Sequence, residues 1–329
     1  MKMIICKFFI STVVSVNSLS SLFGSERIGS IQNSIIPTIE YFESIENLPS
    51  QKFTKKQLEE INKALDKKEE KIRLVTYNML FNLYDHNLEE ENRWLNRLPR
   101  IVELIQAINP DIICTQELYP TQVQDIEDLL NNEFAFFSGC VDPDGESYGI
   151  FYKKNRFEVQ SSQVETPLSI LQLKDVKTDK TISVFNTHLA FSNIEKREVE
   201  AHKIVQLIKP YAKDGAVIFT GDLNTFPARL DLTGLPFYDG DYLHRILSTA
   251  AIKNAESCSL IGHFGPISTF TNSGTGITPF QGTGTPGVVL DYIYASDKVI
   301  ILTHATEPGT IDGHFPSDHM PVIIDFIID

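Results

Sequence analysis

Cysteine is scarce in this 329-residue chain: there are four, and Cys6 lies in a segment that reads as removable. The odd remainder, Cys114, Cys140 and Cys258, does not make a disulfide framework. Cys114 sits inside an apolar run and is expected in the core, while a single bond between Cys140 and Cys258 is left open. Neither Cys-x-x-Cys nor His-Glu-x-x-His occurs, which excludes the zinc sites those patterns build. No glycine-rich phosphate loop ends in a lysine, so nucleotide triphosphate chemistry has no support. No internal repeat of solenoid length is present. After Gly24, no apolar run is long enough to span a bilayer. Positive charge is also short: 29 Lys and Arg stand against 43 Asp and Glu, for a net charge of -14. Bulk electrostatics therefore do not hold this chain on nucleic acid. Cutting a polyanion would require local basic groups or metal ions.

The apolar content of 42% suits a packed core. Lys2 and Lys7 precede or flank an apolar stretch that runs, diluted by Ser and Asn, to Leu22-Phe23-Gly24. Residues 1–24 are therefore expected to be a signal peptide, which makes the protein exported, periplasmic or secreted. Residues 25–70 read as a leader with one charged helix, opened by the capping box Thr54-Lys55-Lys56-Gln57. Residues 71–329 read as one large domain, expected to be a monomer.

Alternation predicts a strand over 71–78. Leu98, Ile101, Val102, Ile105 and Ile108 give a helix face stopped by Asn109-Pro110. Strands follow at 111–117, 134–138, 148–152, 181–188 and 216–222, with helices over 121–130 and 194–208, the latter closed by Pro210. A short strand is expected at Thr269-Phe270-Thr271, and longer ones at 288–294 and 322–328. Alternating elements early and strands late suit sheets packed on each other with helices outside.

Polar residues recur where these strands end. Asn78, Glu117 and His188 each end one, and Asp222-Leu223-Asn224 ends another. Asp291 interrupts an apolar strand, and Asp318-His319 precedes the last. Each has a plain reading as a turn or cap residue. Their coincidence at strand ends points instead to a common edge. Carboxylates and amides are hard oxygen ligands, suited to Mg²⁺. Two histidines, several carboxylates and such a cation suit attack of water on a phosphate ester.

The ordered set Thr76-Tyr77-Asn78, Thr115-Gln116-Glu117, Asn186-Thr187-His188-Leu189, Gly221-Asp222-Leu223-Asn224, Leu290-Asp291-Tyr292-Ile293 and Ser317-Asp318-His319-Met320-Pro321 resembles the endonuclease/exonuclease/phosphatase superfamily, the deoxyribonuclease I-like metal-dependent phosphoesterases. The resemblance covers residues 71–329. It implies an α+β fold, a four-layer α/β/β/α sandwich of two packed mixed β-sheets flanked by helices. It implies that Glu117, Asn78 and Asp318 hold Mg²⁺, with Mn²⁺ as a possible substitute. Asp291 would orient His319, which activates or polarises the attacking water. Asp222 would place that water or serve as a second metal ligand, and Asn224 and His188 would contact the phosphate, with His188 stabilising or protonating the leaving oxygen. Glu146 is the candidate carboxylate for orienting His188.

The expected activity is Mg²⁺-dependent phosphodiester hydrolysis, first as an exported nuclease. The alternative is a sphingomyelinase-like phospholipase or phosphoinositide phosphatase, and the distant one a binding module without catalysis. The partner is thus a phosphate-ester substrate, nucleic acid or phospholipid head group. A sphingomyelinase would be expected to show an exposed apolar hairpin. The nearest stretch, Phe134-Ala135-Phe136-Phe137, reads rather as a buried strand. Specificity is expected in loops 82–97, 139–147, 228–245 and 262–287, where Arg229 and Arg245 are candidate phosphate ligands.

Overall fold

A computed structural model describes residues 31–36, 39–40, 54–65, 67–83, 85–130, 133–225, 241–271 and 288–329. The expected signal peptide and Arg229 lie outside the described residues. In chain order the elements are β1 (Ile31–Gln32), α1 (Lys55–Leu65), β2 (Ile72–Asn78), α2 (Trp94–Ile108), β3 (Ile112–Gln116) and α3 (Pro120–Leu129). There follow β4 (Phe134–Val141), β5 (Ser147–Lys153), β6 (Phe157–Glu165), β7 (Leu168–Asp175), β8 (Lys180–His188), α4 (Ile194–Ala212) and β9 (Ala216–Asp222). The chain ends with α5 (Tyr242–Ser248), β10 (Ile252–Asn254), α6 (Ala255–Cys258), β11 (His263–Phe264), β12 (Asp291–Ser296), β13 (Val299–Thr306), β14 (Thr310–Ile311) and β15 (Val322–Ile328).

Two mixed sheets carry the structure, a six-stranded one in the order β10-β12-β9-β8-β7-β6 and a seven-stranded one in the order β11-β13-β15-β2-β3-β5-β4. Alternation along each strand decides what faces what. Ile72 and Leu74 of β2, Ile112 and Cys114 of β3, and Val322, Ile324 and Phe326 of β15 share one core with Ile182 and Val184 of β8 and Ile218 of β9. The two sheets therefore pack face to face. Their other faces lie under helices. Val75, Tyr77 and Ile113 meet α2, while Phe185, Val217 and Phe219 meet α4 and α5. These are the four layers of the expected α/β/β/α sandwich. Cys114, Cys140 and Cys258 are all free thiols.

Helix α2 buries Trp94, Leu98, Ile101, Ile105 and Ile108 at helical spacing. Asn109, in the left-handed region at φ 49°, returns its amide to the Ile105 carbonyl at 2.9 Å. Helix α4 runs past Pro210 to Ala212, two residues after the proline expected to close it. Tyr211 packs edge-on against Phe185 and Ala212 is buried, so packing holds a last turn that local propensity would end. Strands β6, β7 and β13 were not foreseen. Strand β6 is an exposed edge, rich in Ser, Gln and Glu, with no apolar run to mark it.

Described residues of the leader dock on the sheets. Ile35, Ile36 and Ile39 belong to the same apolar cluster as Trp94, Leu98 and Ile105. Strand β1 pairs with β14, and Ala64 of α1 packs with Leu302 and Ile327. Apolar residues too sparse to mark a helix or strand pattern are still enough to dock a segment on an existing sheet. Glu307 anchors this segment: its Oε2 accepts the Ile35 amide at 3.1 Å. Burial pushes the Glu307 carboxyl up from 4.5 to about 8, against the pull of nearby amides and the Ser34 side chain. The folded chain thus holds a proton between those values that the unfolded chain releases. The stability from this group is full below about 4.5 and falls as pH rises toward 8. Glu307→Gln is expected to gain stability relative to wild type between pH 5 and 8, by on the order of 4 kcal/mol at most. Urea denaturation at both pH values checks this; a pH-independent difference would contradict it.

Candidate active site

The same alternation that buries the core delivers polar groups at its open end. Residues 72, 74, 76 and 78 of β2 share a face, as do 182, 184, 186 and 188 of β8 and 216, 218, 220 and 222 of β9. One pleat below the rim lies a buried polar layer. Gln116 donates to Thr76 Oγ1 at 3.1 Å and to Asn186 Oδ1 at 2.7 Å, and Asn186 donates to the carbonyls of Thr115 and Gly149 at 2.9 Å. At the rim, strand register sets the order: Asp222 is the cross-strand partner of His188 on one side and of Asp291 on the other. Close approach of β8 and β9 there requires Gly221, whose φ is 144° and whose added Cβ would stand 2.0 Å from the Thr187 carbonyl oxygen. Gly221→Ala is expected to cost about 3 kcal/mol or more in urea denaturation, with activity falling in parallel. Wild-type stability for that variant would count against the observed register.

The structure brings Asn78, Glu117, His188, Asp222, Asn224, Asp291 and His319 together. Asn78 Nδ2 donates to Glu117 Oε1 and to Asp222 Oδ2, both at 3.0 Å. Its Oδ1 accepts the Leu80 amide at 3.1 Å, so Asn78 here bridges two carboxylates as a donor. Ligation of a cation through its oxygen needs the amide turned over. Glu117 also accepts the Phe81 amide at 3.4 Å. Glu117 and Asn224 sit in the left-handed region, at φ 59° and 48°, strained positions for non-glycine residues.

Asn224 Nδ2 lies 3.0 Å from His188 Nε2 and donates to the Leu189 carbonyl at 2.9 Å. With the amide as donor, His188 Nε2 accepts and its proton lies on Nδ1. Glu146 is on that side, its Oε2 4.0 Å from Nδ1. Glu117 Oε1 and Asp222 Oδ2 approach His188 Nε2 at 4.0 and 3.6 Å. The Tyr148 ring meets the imidazole edge-on, centroids 6.2 Å apart.

His319 Nδ1 is 2.7 Å from Asp291 Oδ2, and its Nε2 is 3.7 Å from Asp222 Oδ2. Burial works to lower the His319 pKa. The Asp291 carboxylate, hydrogen-bonded to the ring, outweighs this together with Asp222 and Asp318, and holds the pKa well above its ordinary value. Asp222 is pushed up by burial and by Asp291, against His319 and His188. Asp318 is likewise pushed up by burial and by Glu117, against His319 and Arg97.

Side chains to which the sequence patterns assign no role support this row. Thr269 donates to Asp291 Oδ2 at 2.7 Å and accepts the amides of Leu290 and Asp291. Ser317 donates to the Asn78 carbonyl at 2.8 Å, tying the His319 loop to the end of β2. Arg97, buried in α2, donates to the carbonyls of Met79, Leu80 and Pro316 and so joins the same two loops. A lone arginine on the apolar stripe of a helix is the signal that could have found it. Arg245 lies on the exposed face of α5 over the Tyr242 ring, 5.8 Å from its centroid. Gly145-Glu146-Ser147-Tyr148-Gly149 fits the Gly-x-Ser-x-Gly pattern of serine hydrolases. Here it spans the β4–β5 hairpin, and the Ser147 hydroxyl is spent on the Leu118 carbonyl at 2.9 Å.

The donor set fits a hard divalent cation. Glu117, Glu146 and His188 offer ligand atoms within 4.8 Å of one another, and so do Asp222, Asp291 and His319. Asp291 Oδ1 is buried without a hydrogen-bond partner, and Glu117 and Asp318 repel each other. Such crowded carboxylates gain from a cation among them.

A family model described as the Endonuclease/Exonuclease/phosphatase family matches residues 75–319. Mouse Nocturnin is 23% identical over 276 residues, which cover 72% of this chain and 59% of that protein. This chain therefore spans less than two thirds of that relative's length. An endonuclease/exonuclease/phosphatase from Bacteroides vulgatus superposes with a TM-score of 0.65 at 22% identity, covering 79% of this chain and 99% of the other. The Bacteroides thetaiotaomicron mannosyl-6-phosphatase Bt3783 gives 0.62 at 18% identity, covering 78% and 100%.

Proposed function

The chain belongs to the endonuclease/exonuclease/phosphatase family, a family of phosphoric ester hydrolases, and on that premise we propose that it is a Mg²⁺-dependent enzyme that hydrolyses phosphate esters with an activated water. The supporting observation is the pairing of His319 with Asp291 at 2.7 Å, beside Asp222 and within the same cluster as Glu117 and His188. Glu117 and Asp318 would hold the cation by carboxylate oxygen, with Asn78 completing the set once its amide is turned, and Mn²⁺ would substitute. The cation, when bound, supplies positive charge to the phosphate oxygens.

The remaining steps belong to side chains. Asp291 occupies Nδ1 of His319 and fixes the ring, which leaves Nε2 to polarise the phosphate or move a proton of the water. Asp222, between the two imidazoles, orients that water. Asn224 and His188 bind phosphate oxygens from the other side once His188 carries a proton on Nε2 and the Asn224 amide turns from that nitrogen to the phosphate, with Glu146 facing Nδ1. The nuclease expectation rests on this chemistry, which a phospholipid or inositol phosphate would share. The apolar hairpin wanted for a sphingomyelinase has little support: Phe134 is buried, and Phe136 and Phe137 pack in the cores. Export remains part of the proposal, on the strength of the opening lysines and apolar run.

The test is hydrolysis of bis-p-nitrophenyl phosphate by purified residues 25–329. Turnover should require Mg²⁺ or Mn²⁺ and stop in excess chelator. Undiminished turnover in chelator would overturn the proposal.

A further inference from the structure

Charge is unevenly placed about this molecule, and the site lies at the negative end. Strand directions put the described residues 79–83, 85–93, 117–119, 142–146, 166–167, 189–193, 223–225, 265–271, 288–290 and 307–321 at the end of the sheets that carries Asn78, His188 and Asp222. Among these described residues Arg93 is the only lysine or arginine. Many are acidic, including Glu89, Glu90, Glu91, Asp142, Asp144 and Asp312. Arg93 is turned onto the Leu88 carbonyl at 3.2 Å. Of the basic residues on the helices that start at this end, Arg97 and Arg197 point inward, Arg100 donates to the Glu91 carbonyl at 2.9 Å, Lys196 is paired with Glu200 at 3.7 Å and Lys203 donates to the Thr166 carbonyl. Arg97 is held by carbonyls of Met79, Leu80 and Pro316, and Arg197 by those of Ala190 and Phe191. The basic residues Lys68, Lys71, Lys153, Arg156, Lys177 and Lys180 gather at the opposite end.

A polynucleotide track needs cations for the phosphates that flank the scissile one, since those contacts supply most of the affinity. A bound divalent cation answers for one phosphate only. Aromatic walls stand beside it. Phe81 and Tyr119 meet edge-on at 6.3 Å next to Glu117, Phe270 packs on His319 at 5.0 Å, and Phe191, three residues after His188, is 44% exposed. Such walls suit the uncharged, ring-bearing body of a small ester.

We infer that the substrate is a small phosphate ester with a single phosphate group on an uncharged organic body, and that polynucleotides are disfavoured by the acidic rim. This rests on the phosphate-ester reading of the site. The experiment compares kcat/KM on bis-p-nitrophenyl phosphate, p-nitrophenyl phosphate, a hexose 6-phosphate and inositol 1-phosphate with that on 20-nucleotide DNA and RNA, at 50 and 200 mM salt with Mg²⁺. The best small ester should exceed both oligonucleotides by about a hundredfold per bond and depend little on salt. The triple variant Glu89→Lys, Glu90→Lys, Asp144→Lys alters exposed residues outside the site. It should raise oligonucleotide cleavage about tenfold at low salt and change small-ester turnover less than threefold. Oligonucleotide cleavage by wild type equal to or above the best small ester would overturn the inference and leave the hydrolase reading intact. No turnover of any ester with Mg²⁺ or Mn²⁺ would remove both.

Discussion

His319→Ala is expected to lower kcat roughly a thousandfold on any ester the wild type cleaves, with KM changed little. The imidazole is 5% exposed and its Nδ1 is taken by Asp291, so the open Nε2 is what the reaction can use. Alanine also takes the imidazole from the buried Asp291 carboxylate and leaves it the Thr269 hydroxyl, which costs about 1–3 kcal/mol. His319→Gln, which keeps an amide beside Asp291, separates the two effects: stability should recover in part and activity should not. Asp291→Asn should lose activity on a similar scale, because the ring then loses the carboxylate that fixes it. A His319→Ala enzyme that retains a tenth of wild-type kcat would remove this residue from the chemistry.

Glu117→Ala is expected to lose about a hundredfold in activity at ordinary Mg²⁺ and to regain part of it when Mg²⁺ is raised. The residue holds Asn78 Nδ2 at 3.0 Å and sits at φ 59°, where a side chain is under strain. Glycine relieves that strain. Glu117→Gly should therefore equal or exceed the wild type in stability, by about 1 kcal/mol, while matching alanine in lost activity. The opposing signs identify a position kept for function at the expense of folding. Calorimetric titration with Mn²⁺ gives a readout apart from turnover: affinity should fall in both variants. An unchanged Mn²⁺ affinity and an unchanged Mg²⁺ requirement would show that Glu117 does not hold the cation.

The strand ends were legible in the sequence because alternation continues through them. Ile72, Leu74, Thr76 and Asn78 keep one face from core to rim, as do Ile182, Val184, Asn186 and His188. The cross-chain partners were not legible. Thr269 and Ser317 work through hydroxyls whose targets, Asp291 and the Asn78 carbonyl, are chosen by loop conformation and leave no periodic trace. The docking of Ile35, Ile36 and Ile39 was missed for a related reason: short apolar clusters bury well against a neighbour but carry too few repeats to declare a face. Pro210 shows the reverse, a strong local stop overridden by Tyr211 and Ala212 in the core.

In the proposed mechanism, residues from distant parts of the chain act on one phosphate as a unit. The kinetic cycle of Glu117→Ala, His319→Ala and the double variant measures that directly, with kcat/KM on bis-p-nitrophenyl phosphate at fixed Mg²⁺. A single centre predicts that the double variant lies within about tenfold of the poorer single one, because either loss disables the same step. Losses that multiply in full would mean that the two side chains act independently, and would contradict it.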